Sequence, residues 1–227
     1  MAEALAKAGL SGVYSYAGRT DAPMGQPIHM RMGGFGGVEG LIAYLQAEKI
    51  THVIDATHPF AAQMSANAVA ACATTGTPLI ALERAPWTSG EGDRWTHVTD
   101  IPAAVAALAG PPQRVFLAIG RQHLDPFAAQ PQHHYLLRLV DAPTGPLPLP
   151  QAQVIVARGP FDVAGDTALM QSHGTQIVVA KNAGGKGAVA KIAAARALGL
   201  PVIMIDRPMI PKRPVARSVK DVMAWLG

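Results

Sequence analysis

The chain has 227 residues, a formal net charge of +4 and a single cysteine, Cys72. This length is enough for one large or two small domains with real cores. One cysteine excludes an internal disulfide framework and argues against a thiolate metal site. The mild positive charge, without runs of Lys and Arg between aromatic residues, argues against nucleic-acid binding. Because we find no signal-peptide pattern and no apolar run of ~18–20 residues, we expect a cytoplasmic protein that does not enter a membrane.

Short apolar strand patterns alternate with helical periods along the chain. Val38, Leu41 and Leu45, for example, have the i, i+3, i+7 spacing of an amphipathic helix. The predicted strands are residues 13–17, 51–56, 78–84, 114–120, 134–140, 153–157, 175–181 and 201–206. The predicted helices are residues 2–10, 38–45, 59–75, 101–109, a segment after Phe161, 189–197 and 218–226.

Strands that are apolar throughout and separated by helices indicate a parallel sheet covered on both faces. The proline-rich segment GPPQ at 110–113 is the best candidate for a domain boundary. We therefore predict an α/β protein of two doubly wound domains, residues 1–111 and 112–227.

In an open parallel sheet, ligands bind outside the carboxyl ends of the strands. SYAGRT, at such a strand end, contains Gly18, Arg19 and Thr20. An arginine after the second strand can accommodate the 2′-phosphate of NADP, although a surface arginine in a loop is the alternative. The glycines around Phe35 permit close approach of the backbone to a ligand, or simply form a flexible loop.

The segment DATHPFA carries a predicted strand into a helix. Pro59 suits the first helical turn, and His58 before it is biased to an extended backbone. The amides of such a helix start favour an anion or a polar cofactor edge. A metal site is excluded because no second ligand has suitable spacing. His58 is therefore either a general acid or a residue that caps the turn.

Basic residues follow the later strands. Any one of them alone would be a solvated charge, but four at equivalent strand ends would face one cleft, and such a cleft suits a substrate with several carboxylates. They are Arg84, Arg121, Arg158 and Lys181. The last begins KNAGGKG, which lacks the spacing of a phosphate-binding Walker loop but can bind an anion through backbone amides.

Together these segments resemble the precorrin-6A reductase family of cobalamin biosynthesis, in the family's order and over nearly the whole chain. The matching strings are SYAGRT, GGFGG, VIDATHPFAAQMSANA, LERAPW, VFLAIGRQ, ARGPF and VVAKNAGGKGAVAKIAAARALGLPVIMIDRP. The resemblance implies two Rossmann-like domains with NADPH on the first and a tetrapyrrole in the cleft between them. It also implies reduction of one C=C bond of precorrin-6A, or of its cobalt form, to give precorrin-6B.

The resemblance also implies roles for particular residues. The expected cofactor-binding residues are Gly18, Arg19, Thr20, Gly34, Phe35, Gly36, Ala56, Thr57, His58, Pro59 and Phe60. The expected substrate-binding residues are Arg84, Arg121, Arg158, Lys181, Asn182, Gly184 and Gly185. The candidate proton donors are His58, Tyr16 and Lys181, with solvent as the alternative, and no metal is expected.

Two other functions fit the same residues. The chain could be an NADPH-dependent reductase of another polyanionic metabolite, or a two-domain protein that binds an anion without chemistry. The presence of SYAGRT beside DATHPFA favours an enzyme, which we expect to be a monomer.

The chain opens on the helical pattern AEALAKAGL, whereas a doubly wound domain ordinarily opens with a strand and a glycine-rich turn. We expect about ten further residues, one strand of ~5–6 residues and a turn, ahead of Met1. A missing strand would expose the sheet and remove a phosphate-binding loop. The 227-residue chain should therefore bind NADPH weakly or fold poorly, and an upstream-extended version should recover both. Tight NADPH binding with cooperative melting of the shorter chain would contradict this.

Overall fold

The computed structural model describes residues 1–18 and 24–227. Its helices are α1 (Ala2–Lys7), α2 (Gly37–Ala47), α3 (Ala62–Thr75), α4 (Ile101–Ala107), α5 (Val163–His173), α6 (Ala190–Ala197) and α7 (Val219–Leu226). Its strands are β1 (Val13–Tyr16), β2 (His29–Met32), β3 (Val53–Asp55), β4 (Leu79–Leu82), β5 (Arg94–Val98), β6 (Arg114–Ala118), β7 (His134–Leu139), β8 (Ala152–Val156), β9 (Ile177–Lys181), β10 (Pro201–Ile205) and β11 (Val215–Ala216). Two short 3-10 helices, Arg121–His123 and Asp125–Ala129, follow β6.

The chain forms two compact units, and it crosses between them twice. Unit 1 contains Met1–Arg84 and Met209–Gly227, and unit 2 contains Ala85–Pro208. The chain thus divides elsewhere than at the predicted boundary of 110–113, which falls inside unit 2. The physical reason is strand pairing, because β5 pairs with β10 in unit 2 whereas β11 returns to pair with β4 in unit 1.

Unit 2 contains a six-stranded sheet of order β8-β7-β6-β9-β10-β5, in which every pairing is parallel. From β6 the chain runs outward through β7 and β8, then returns to the other side of β6 as β9 and β10. The order therefore reverses between β6 and β9, which is the topological switch point of a doubly wound fold. The predicted α/β fold with parallel sheets is confirmed.

Unit 1 contains two smaller parallel sheets, β2-β1 and β3-β4-β11. Strand β11 comes last in the chain and pairs with β4 at an edge of its sheet, whereas the edge strand β5 of unit 2 precedes its partner β10.

Apolar side chains on the strands and the covering helices form a core in each unit. In unit 2, Phe116 lies beside Leu136 on one neighbouring strand and beside Val178 on the other, and all three are fully buried. In unit 1, α2 and α3 pack through Leu41 and Ala71. In the part of the chain that the structure describes, we find no helix with the length and apolar character that crossing a bilayer requires.

The structure differs from the predicted elements in two respects. Helix α3 begins at Ala62 rather than at Pro59, because the Ala61 amide donates to the His58 carbonyl and closes a separate turn ahead of the helix. Three strands were not predicted. They are β2, directly before the glycines around Phe35, the polar β5, and the two-residue β11.

Candidate active site

The turn after β3 is organised by one buried carboxylate. Asp55 ends the strand, and its Oδ1 accepts hydrogen bonds from the backbone N–H of Thr57 at 3.2 Å and from the Thr57 hydroxyl at 2.7 Å. Since the Thr57 proton is directed to Asp55, the buried Ser65 hydroxyl on α3, 3.3 Å away, is the donor to Thr57. The strand end, the turn and the helix are thereby joined.

His58 caps this turn through its imidazole. The backbone N–H of Phe60 donates to His58 Nδ1 at 3.2 Å, which makes Nδ1 an acceptor and leaves Nε2 to carry the proton of a neutral ring. Ala56, Thr57 and His58 are exposed, whereas Asp55 and Pro59 on either side are buried. The turn therefore exposes residues 56–58 to solvent between two buried residues.

The glycine loop before α2 is held by Arg31, a residue of β2. Its guanidinium donates to Ser15 Oγ at 2.7 Å and to the Gly33 and Gly34 carbonyls, and it lies 4.0 Å from the centre of the Phe35 ring. Gly36 has a φ of 82° where the chain enters α2, a backbone conformation that favours glycine. The predicted cofactor residues Gly34, Phe35 and Gly36 thus belong to a loop that Arg31 holds in place.

The end of β1 carries the other predicted cofactor residues. Gly18 follows the strand with a φ of 73°, while Arg19 and Thr20 lie outside the described residues. The Tyr16 hydroxyl donates to the Met24 carbonyl at 2.9 Å and accepts from the Gln26 amide at 2.7 Å. The hydroxyl proton that Tyr16 would supply as an acid is thus hydrogen-bonded to a backbone carbonyl.

Three of the four predicted basic residues lie on the carboxyl edge of the sheet in unit 2. Arg121 opens the 3-10 helix after β6, Arg158 follows β8, and Lys181 is the last residue of β9. Arg158 is half-exposed and forms an ion pair of 3.6 Å with Asp141. The fourth, Arg84, belongs to unit 1, where it follows β4.

The loop after β9 is held by Trp87, a residue that was not among the predicted site residues. Asn182 accepts from the Trp87 backbone N–H at 2.8 Å and donates to the Trp87 carbonyl at 2.9 Å. The Trp87 indole N–H donates in turn to the Gly185 carbonyl at 2.8 Å. Asn182 is thus engaged through both polar atoms of its side chain, and its role as a substrate ligand stays a prediction.

A buried lysine completes the support of this loop. Lys191, on α6, is 6% exposed and donates from Nζ to the Ala188 carbonyl at 2.7 Å, with its ammonium 5.2 Å from the centre of the Trp87 ring. Burial, and secondarily the charge of Arg138, lowers its pKa to about 8, while Asp166 acts in the opposite direction. The Gly185 and Ala188 carbonyls of this loop therefore accept hydrogen bonds from the half-buried Trp87 and the buried Lys191.

Arg31, Asp55, Trp87 and Lys191 are the supporting residues that the sequence patterns did not indicate. Trp87, for example, contacts residues 95 and 98 positions further along the chain, so no local spacing reveals it. Among residues 1–18 and 24–227, no group of three or more His, Cys, Asp or Glu side chains is placed to hold a metal ion.

The geometry can be compared with known proteins. The family model described as "Precorrin-6x reductase CbiJ/CobK" matches residues 1–227. The chain belongs to this family. It is 65% identical to a precorrin-6A reductase of Rhodobacter capsulatus over 227 residues, 100% of this chain and 90% of that protein. It is 50% identical to a precorrin-6A reductase of Sinorhizobium over 209 residues, 92% and 80% of the two chains.

A solved structure agrees with this assignment. The fold matches one described as CobK precorrin-6A reductase with a TM-score of 0.96 and 65% identity, covering 99% of this chain and 90% of that one. Membership of the precorrin-6x reductase family therefore confirms the resemblance predicted from the sequence. It also confirms that the protein belongs to a family of oxidoreductases.

Gly184 offers a test of the loop after β9. It has a φ of 68°, and a Cβ there would overlap the Ala85 carbonyl oxygen and the Arg207 guanidinium. Gly184→Ala should lower the free energy of unfolding by at least about 1–2 kcal/mol, the cost of the left-handed backbone alone, measured by urea denaturation. Gly187→Ala is the matched control, since a Cβ at Gly187 meets nothing within 4 Å. Equal stability of the two variants would contradict the described loop.

Proposed function

We propose that the protein reduces precorrin-6A to precorrin-6B with NADPH as the hydride donor. The observation that carries this proposal is the 65% identity to the Rhodobacter capsulatus precorrin-6A reductase over all 227 residues. The arrangement of polar and basic residues on the carboxyl edges of the sheets supports it, because ligands of doubly wound folds bind at those edges.

The residues of unit 1 fit a nicotinamide dinucleotide. The accessible backbone of Ala56, Thr57 and His58 sits on the buried Asp55 anchor, at the end of a parallel strand. The glycine loop at Gly34 and Gly36 has open space where side chains would otherwise stand. These residues would hold the cofactor, with Gly18, Arg19, Thr20, Phe35, Pro59 and Phe60 as the further proposed contacts.

The residues of unit 2 fit a substrate with several carboxylates. Arg121 and Lys181 follow β6 and β9, the two strands that flank the topological switch point. Arg158 adds a third cation on the same edge, and the amides of Gly184 and Gly185 add neutral donors. Guanidinium groups suit carboxylates because they can bind both oxygens at once. We propose that these groups, with Asn182, bind the propionate and acetate groups of a tetrapyrrole, and that Arg84, which follows β4 in unit 1, is a further substrate contact.

The reaction needs one hydride and one proton. NADPH, held by the residues of unit 1 named above, would supply the hydride from C4 of its nicotinamide and leave as NADP⁺. The protein orients the two ligands, and its amides and cations stabilise their charges. The proton goes to the neighbouring carbon of the reduced C=C bond from His58 Nε2, Tyr16 or Lys181, or from solvent. We continue to predict a cytoplasmic monomer that binds no nucleic acid.

Spectroscopy tests the proposal. The chain is mixed with precorrin-6A and NADPH, and the NADPH and tetrapyrrole absorption bands are recorded together; parallel reactions contain NADH or cobalt-precorrin-6A. We expect both bands to change at one rate with NADPH and precorrin-6A. A tetrapyrrole that binds while NADPH is not consumed would favour the anion-binding protein, and NADPH oxidation only by another polyanion would favour the other reductase.

Substitution of His58 distinguishes its two candidate roles, turn cap and general acid. His58→Ala should leave kcat within about tenfold of the unsubstituted value, because the ring caps the turn, whereas a general acid contributes about 10²–10⁴-fold. His58→Asn is the control, since its amide can accept from Phe60 N–H but transfers no proton. A loss of kcat above about a hundredfold in both variants would instead identify His58 as the acid.

A further inference from the structure

Arg213 connects the carboxyl ends of β3 and β4 in the larger sheet of unit 1. It lies two residues ahead of β11, in the segment that returns to unit 1, and its side chain is 9% exposed. Its Nε is 3.6 Å from Asp55 Oδ2 at the end of β3, and a terminal guanidinium nitrogen is 3.2 Å from Glu83 Oε2 just beyond β4. One guanidinium therefore lies between two carboxylates.

The contact with Asp55 reaches the turn described above. Asp55 uses Oδ1 to hold Thr57, while its Oδ2 faces Arg213. Both Asp55 Oδ2 and Arg213 Nε are buried and have no hydrogen-bond partner, so their interaction is an ion pair. The Asp55 side chain is 3% exposed. A carboxylate removed from water to that extent depends strongly on the cation that faces it.

We propose that Arg213 is a positioning residue for the cofactor, acting through Asp55 on the turn at residues 56–58. This rests on the proposed function, in which NADPH binds that turn. Without Arg213, the buried Asp55 carboxylate loses the cation that faces it, and Asp55 moves away from Thr57. The returning segment of the chain thus determines the geometry of a site built mainly from the first 84 residues.

Arg217 provides a matched control. It also contacts Glu83, through the backbone carbonyl at 3.2 Å and the carboxylate at 3.9 Å, but its side chain is 56% exposed. Its contacts are with Glu83 rather than with Asp55. Loss of Arg217 therefore removes a positive charge near the same carboxylate without disturbing the ion pair that holds the turn.

Hydrogen exchange tests the inference without nucleotide. In Arg213→Gln the amides of residues 55–61 should exchange faster than in the unsubstituted chain, because the turn opens locally. Arg213→Lys should restore most of the protection, and Arg217→Gln should leave it unchanged. If Arg213→Gln folds and exchanges at the same rate over residues 55–61, the inference is overturned. This result would stand whether or not the protein uses NADPH.

Kinetics supply the second readout. Arg213→Gln should raise KM for NADPH about tenfold, equivalent to about 1.4 kcal/mol, with KM for precorrin-6A and kcat at saturation changed less than about twofold. Arg213→Lys should recover most of the loss. A comparable change in KM for NADPH, in KM for precorrin-6A and in kcat would indicate a general structural role and overturn the inference. An unchanged KM for NADPH would also overturn it, while leaving the proposed reductase activity intact.

A double variant keeps the test informative if Arg213→Gln does not fold. Because both residues act through one contact, Asp55→Asn/Arg213→Gln should match Asp55→Asn in KM for NADPH to within about twofold. A further increase of about tenfold in the double variant would show that Arg213 acts independently of Asp55, and would overturn the proposal.

Discussion

Parallel strand pairing is the constraint on which the rest of this structure depends. Because the described strands pair only in parallel, the carboxyl ends of all strands in a sheet fall on one edge. In unit 1, Asp55 and Glu83 both contact Arg213 there. In unit 2, Lys181 ends β9 and Arg121 follows β6, the two strands beside the switch point. Residues far apart in sequence therefore become neighbours, and one edge of each unit acquires the polar groups that a ligand needs.

The apolar strands and most of the helices could be predicted from the sequence. The strands β6, β9 and β10 are continuous apolar runs because both faces of the sheet are covered, and this pattern does not depend on tertiary context. Likewise, the position of DATHPFA at a strand end followed from local order alone. The same reasoning misplaced the start of α3, because Pro59 suits a helical turn as well as the turn that actually precedes the helix.

The remaining features depend on contacts between distant segments. Strand β5 has a polar, half-exposed pattern at the edge of its sheet, and β11 has two residues, so neither shows a strand period. These two strands decide where the chain divides, which is why the boundary at 110–113 was misplaced. Arg213 was missed for the same reason, since its two carboxylate partners precede it by more than a hundred residues.

Isotope transfer tests most directly the central proposal, that the protein transfers a hydride from NADPH to a tetrapyrrole. The chain is incubated with precorrin-6A and NADPH deuterated at C4 of the nicotinamide, and the product is analysed by mass spectrometry. The account predicts one deuterium in the reduced tetrapyrrole when both hydrogens at C4 of the nicotinamide are replaced, and one further hydrogen taken up as a proton during turnover. A reduced product that contains no deuterium from NADPH would contradict it.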